Sequence, residues 1–235
     1  MSVQCVVAAD VAYVVKNSFA PEGNVLSVFN DLGLSYVIID DSQVLETDFS
    51  EHNIIVLGEG NIDNVPIDTK KALIMNSGSY SNWSSSKGSS AKNDAINLEH
   101  YIGDDVSPTF NSYTMNFPLV HYLTREKYSV TPVTVKDNSV AGMNEYVIAT
   151  KDEPRRVFFG IVHASYWSDE SRELFVNSLL WILRGSDNDG DSFFYDDDCD
   201  DPEDINEGCT SISQVSWRNM NRHPIYNNEV DLNDW

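Results

Sequence analysis

Short apolar, β-branched runs recur along the first 185 residues with polar or helix-patterned spacers between them, and that rhythm limits the possible folds more than any other feature. "VQCVVAA" (3–9), "SYVIID" (35–40), "NIIVLG" (53–58) and "KALIMN" (71–76) are too short for helices and are bounded by polar residues, as buried strands are. Between the first two lies "PEGNVLSVFNDLG", where Val25, Leu26, Phe29 and Leu32 share one helical face. Pro21 stands near its start and Gly33 supplies a stop. Strands that are apolar on both faces, joined by helical spacers, predict a parallel sheet covered on both sides. The expected fold is therefore α/β: a flavodoxin-like parallel sheet with helices on both faces.

Residues 77–93 contain eight serines and are expected to form a long surface loop. A β-rich portion follows, with "TFNSYTMNF", "YSVTPVTVK", "EYVIAT" and "RRVFFGIVH". The globular part closes with the helix "SDESRELFVNSLLWILRG". Ser168 or Asp169 caps it, Phe175, Leu179, Ile182 and Leu183 form its apolar face, and Arg184 and Gly185 end it.

This order of elements resembles the class I glutamine amidotransferase-like fold, and within it the ThuA-like branch. The strands "VQCVVAA", "LGLSYVIID" and "HNIIVLG", then "RRVFFGIVH" followed by "ELFVNSLLWILRG", carry the likeness over about residues 1–185. The resemblance implies, for catalytic members, a nucleophile on the turn after a central strand, served by a late His and an acid. Here that turn is "IMNSGSY" (74–80), with Ser77 and Ser79 but no Cys. His163 is followed by Ala164 and Ser165 rather than by the Pro-Glu of the family signature, and Cys5 is on another strand. Amidotransferase chemistry is not expected. The enzyme alternative is a ThuA-like hydrolase or carbohydrate-active protein, using Ser77 or Ser79 with His163. Asp10, at the end of the first strand, and Glu59, just after the third, are expected at the carboxyl edge of the sheet, where α/β folds place ligands. Asp10, Glu59, Ser77 and His163 thus make an alternative ligand site. Against it stands a plainer account: loop acids, loop serines and a strand-end histidine packed on Tyr166 and Trp167.

The net charge is -22, and half of it comes from residues 186–209, "SDNDGDSFFYDDDCDDPEDINEGC", with eleven carboxylates and no Lys or Arg. An EF-type calcium loop supplies oxygens from positions 1, 3, 5, 7, 9 and 12. With Asp187 at the first position, Asp189 and Asp191 take the third and fifth, the Phe193 carbonyl the seventh, and Asp198 the twelfth. Ser192 replaces the glycine normal at the sixth, which strains the turn. Asp200, Asp201 and Asp204 follow within reach of the same ion or a second one. "DNDGDSFFYDDDCDD" resembles the short metal-binding repeat of MopE-type secreted proteins. A solvated acidic linker is the plainer reading, but Phe193, Phe194 and Tyr195 are unusual in one. Eleven crowded carboxylates repel one another, so order in this segment is expected to depend on calcium.

Cys199 and Cys209 bracket the second half of the segment and are placed to form a disulfide, which favours an oxidising compartment. An extracellular or cell-surface location is therefore expected, although "MSVQCVVAADVAYVV" lacks the basic region of a signal peptide. So acidic a surface repels nucleic acid and anionic lipid. No apolar run is long enough for membrane insertion. The last segment, 210–235, carries Trp217, Ile225, Tyr226 and Trp235 around Pro224. Too short for its own core, it is expected to extend over another surface, its own domain or a neighbouring copy, which allows self-assembly. Three segments result: an α/β domain (1–185), a calcium loop (186–209) and an extended tail (210–235). Their expected work is structural or adhesive rather than catalytic.

Overall fold

The computed structural model describes residues 9–75, 83, 86–88, 92–95, 100–103, 106–115, 119–124, 131–136 and 145–184. The acidic segment, its cysteines, the tail and Cys5 lie outside the described residues.

The first described strand, β1, is Val11–Val15 rather than the 3–9 run. Residues 3–8 lie outside the described residues, and Ala9 precedes the strand. Asp10 fixes this register. Its carboxylate accepts from Ser35 N at 2.9 Å, Ser35 Oγ at 2.6 Å and Asn53 Nδ2 at 3.2 Å. Its carbonyl accepts from Asn53 N and Ile54 N, both at 3.1 Å. Val11 is thereby aligned with Tyr36 on one side and Ile54 on the other.

Helix α1, Gly23–Asp31, follows β1 and buries Val25, Val28 and Phe29. It stops at Gly33, whose φ of 68° suits glycine. The amides of Gly33 and Leu34 reach back to the carbonyls of Asn30 and Phe29, closing the orphaned helix end. β2 (Tyr36–Asp40), β3 (Ile54–Leu57) and β4 (Ala72–Ile74) then coincide with the three apolar runs read from sequence. No α-helix forms between β2 and β3. Asp40 and Asp48 each accept the backbone N–H two residues on, from Ser42 and Ser50, and cap short 3-10 helices at Asp41–Glu46 and Phe49–Glu51. Such local bonds divert the chain from a longer helix.

The remaining strands are β5 (Ser86–Gly88), β6 (Lys92–Ala95), β7 (Thr109–Asn111), β8 (Val120–Thr124), β9 (Thr131–Lys136), β10 (Glu145–Lys151) and β11 (Arg156–Phe159). The serine-rich stretch is thus more than loop: it supplies β5 and the start of β6, and it buries Trp83, with the Arg156 guanidinium 5.6 Å from the ring centroid. β8 has no counterpart among the strands read from sequence, because Pro118 and the charged run after Thr124 break its apolar pattern. The sheet order is β2-β1-β3-β4-β11-β10-β9-β6-β7, with β8 pairing β10 and β5. β2 through β11 are parallel and the remaining pairs antiparallel. A central, mostly parallel sheet with helices is the architecture expected.

Alternation along the strands builds two cores. Val11, Tyr13, Val15, Ile54, Val56, Leu73, Val157 and Phe159 face α1 and the closing helix α2, Asp169–Arg184. Ala12, Val14, Ile55, Leu57, Ala72, Ile74 and Phe158 face Val44 and Phe49 of the 3-10 helices and Ile62, Val65 and Ile67. Helical elements therefore cover both faces, α-helices one and 3-10 helices the other. Ser168 caps α2, its Oγ accepting from Ser171 N at 3.1 Å. Phe159, Trp167 and Phe175 form an aromatic cluster with centroids 4.7–5.6 Å apart. Among the described residues no helix is long and apolar enough to cross a membrane.

At Gly160 the chain leaves β11 and is pinned from two sides. Its amide donates to Val147 O at 2.7 Å and its carbonyl accepts from His121 N at 2.9 Å. A Cβ there would lie 2.0 Å from His121 O and 2.8 Å from Val147 O, both rigid main chain. Gly160→Ala is expected to lower stability by about 3 kcal/mol, the upper range for overpacking, measured by urea unfolding.

His100 supplies a pH dependence. Its Nδ1 accepts from Ile102 N at 3.3 Å, its Nε2 lies 3.3 Å from Thr150 Oγ1, and its ring packs on Trp181. Burial pushes its pKa below the ordinary 6.5, against a smaller upward pull from Asp152. The folded state then prefers neutral imidazole. The contribution is complete above 6.5 and is lost as pH falls towards the depressed folded value. Melting temperature is expected to fall between about pH 7 and pH 5, less so in His100→Gln.

Candidate functional site

Parallel strands β1, β3, β4 and β11 point the same way, so the loops that leave them share one edge. This is the carboxyl edge, where open α/β sheets bind ligands. Glu59 leaves β3 and His163 leaves β11. The structure brings them together: Glu59 Oε2 lies 3.6 Å from His163 Nδ1, each side chain about one third exposed at 34% and 31%. That is an ion-pair distance rather than a hydrogen bond. β4 lies between β3 and β11, so its end stands between the ends of the strands that lead to the two residues. Ser77, three residues past β4 in the sequence, lies outside the described residues.

Asp10 does not join them. It precedes β1 and stands at the amino edge, opposite to the edge expected from a strand at 3–9. Its carboxylate is spent on Ser35 and Asn53, tying the starts of β1, β2 and β3. Its role there is structural. Asp10→Ala is expected to lower stability by about 2 kcal/mol, the scale of hydrogen bonds to a charged group, while leaving the Glu59–His163 edge unchanged. Thermal melts and amide NMR shifts around Gly160–Trp167 check both halves.

The segment carrying His163 is held on every side. Trp167 Nε1 donates to Ile161 O at 2.7 Å, and Asn24 Nδ2 to Ala164 O at 2.7 Å. Ser165 Oγ donates to Glu22 Oε2 at 2.9 Å, linking it to the start of α1. Tyr113 packs beside the imidazole with ring centroids 6.2 Å apart, and its hydroxyl donates to Leu119 O at 2.8 Å. Burial pushes the Tyr113 phenol above its usual range. The packing partner of His163 is thus Tyr113 rather than the Tyr166 and Trp167 expected from sequence.

Between β1 and β3 the strand order reverses direction, and the crevice there is the usual ligand position of such sheets. Lys16 fills it. Its ammonium donates to Asn61 O at 2.9 Å and pairs with Asp41, bridging the loops after β1, β2 and β3. Gly60, at φ 124°, would place a Cβ 3.2 Å from Lys16 Cβ. Asp40 adds a second tie, accepting from Ser18 N at 3.0 Å. That bond, with those from Ser42, holds the Asp40 carboxyl at about 2.

Lys16, Glu22, Tyr113 and Ser165 are absent from the sequence-derived site. Lys16 had a readable signal, since it is the first residue after an apolar strand. Tyr113 had none, because only the antiparallel excursion through β7 returns it to His163. Among the described residues no group of three or more His, Cys, Asp or Glu could hold a metal.

The strand order and the closing helix define an amidotransferase-like α/β fold. A ThuA-like protein from Bacteroides uniformis superposes with a TM-score of 0.51 at 11% identity, covering 75% of this chain and 91% of that one. A glutamine amidotransferase from Thermotoga maritima gives 0.51 at 10% identity, over 75% and 98%. An alpha-L-fucosidase isoenzyme 2 from Paenibacillus thiaminolyticus gives 0.51 at 11%, over 74% of this chain and 33% of that one. At such identities the likeness is one of fold. No protein-family model and no curated protein matches the sequence.

Proposed function

We propose that the protein is a non-catalytic member of this fold, a structural or adhesive module of the extracellular space or cell surface with a calcium-stabilised segment after its α/β body. The observation that carries the non-catalytic part is Lys16. Lys16 ties the loops after β1, β2 and β3 to one another at the position where this kind of sheet offers a ligand its place, and its ammonium is already engaged by Asn61 O and Asp41. Sequence supports the rest: the spacing of Asp187, Asp189, Asp191, the Phe193 carbonyl and Asp198 suits calcium, with Asp200 and Asp201 nearby. A Cys199–Cys209 disulfide would restrain the same segment.

A second reading keeps one specific observation in its favour. Glu59 and His163 flank the end of β4, an acid and a base on either side of the strand that Ser77 follows by three residues in the sequence. A hydrolase would use His163 to take a proton from a serine hydroxyl, with Glu59 steadying the imidazolium that results.

The test begins with metal-stripped full-length protein. Calcium is expected to raise its melting temperature, by roughly 2.7 kcal/mol in stability at about a hundredfold excess over the dissociation constant, and chelator to reverse the gain. Identical melts with calcium and chelator would sink the calcium reading. Hydrolysis of a nitrophenyl ester or glycoside that vanishes in His163→Ala and survives in Lys16→Ala would replace the non-catalytic reading with the second one.

A further inference from the structure

Among the described residues, β2 is the last strand on its side of the sheet. Val11 N donates to Ser35 O, so Ser35, Val37 and Ile39 turn their peptide groups towards β1. The alternate residues Tyr36, Ile38 and Asp40 turn theirs outward. The outward amide of Asp40 is met by Gln43 Oε1 at 3.2 Å. Those of Tyr36 and Ile38 have no partner among the described residues. Natural edge strands are usually blunted by lysine, proline or a bulge. β2 has none of these, and its sequence is Tyr-Val-Ile-Ile-Asp.

Apolar side chains stand exposed around this edge. Val37 on β2 is 39% exposed, Leu45 on the following 3-10 helix 81%, and Phe19 on the loop after β1 95%. The last two loops are tied together, Phe19's neighbour Ser18 donating to Asp40 at the end of β2. The stretch that carries them is acidic, although Asp31 is paired with Arg172 and Asp68 with Arg156. Residues 17–69 hold ten carboxylates and neither Lys nor Arg, and Lys16 is already engaged by Asp41. A second copy of the chain would bring the same negative field to the edge and be repelled.

We propose that the outer edge of β2 is a docking site for an extended, basic segment of another polypeptide, which adds a strand to the sheet. Its main chain would bond to Tyr36 and Ile38. An apolar side chain would cover Val37 or Leu45, and flanking Lys or Arg would meet the acidic rim. This site stands apart from the Glu59–His163 pair, which lies where β3 and β11 end.

The probe is a blocked peptide of alternating Lys and Val, compared with one of equal charge in which proline replaces alternate valines and removes the strand's donors. Both are titrated into full-length protein by fluorescence anisotropy, and amide exchange is followed at Ile38. The alternating peptide is expected to bind at least about tenfold more tightly than the proline control. Bound peptide should slow exchange at Ile38. Val37→Lys and Leu45→Ser, both at exposed positions and checked by their melts, should each weaken it by about tenfold or more. Equal binding of the two peptides would mean diffuse attraction to an acidic protein and would overturn the proposal. So would affinity unchanged by both substitutions, or exchange at Ile38 unchanged by saturating peptide.

Discussion

Where β11 ends, two rigid main chains close on one residue without a side chain. Gly160 bonds to Val147 on β10 and to His121 on β8, and leaves no volume for a methyl group. This junction joins the parallel half of the sheet to the antiparallel half. It also sets the exit direction of the chain, and three residues later that chain presents His163 to Glu59. The aromatic cluster of Phe159, Trp167 and Phe175 then holds the segment from beneath. The candidate site is thus a consequence of backbone packing some distance from its own side chains.

Much of the parallel half was legible in the sequence. "SYVIID", "NIIVLG" and "KALIMN" contain β2, β3 and β4, and Ser168, Arg184 and the apolar stripe of α2 stand where the helix pattern put them. The first strand was not, for a definite reason. "VQCVVAADVAYVV" holds two apolar runs, and periodicity alone does not choose between them. Strand pairing chooses, through bonds from Ser35 and Asn53 to Asp10, residues 25 and 43 positions away. Misplacing that strand also misplaced Asp10 by the full height of the sheet.

The site was legible only in part. Glu59 and His163 could be found because each follows a recognisable strand, and the ends of parallel strands share an edge. Tyr113 and Ser165 become neighbours of that edge through long-range packing, which leaves no local pattern. The cover over the second face shows the same limit. Asp40 and Asp48 are good helix caps by composition, yet here each bonds two residues ahead and produces a turn of 3-10 helix.

One contact at the end of α2 has a mechanical meaning. Lys71, just before β4, donates to Leu183 O at 3.2 Å and so fastens the last turn of α2 to a central strand. Arg184, the residue after Leu183, is the last of the described residues. Tension applied to the chain beyond Arg184 along the helix axis would therefore load α2 in shear. Leu174, Phe175, Leu179 and Ile182 would have to slide together across β4 and β11, instead of peeling off one turn at a time. A module built this way resists pulling from its carboxyl-terminal side with its whole helical face, and Lys71 sets where the resistance begins.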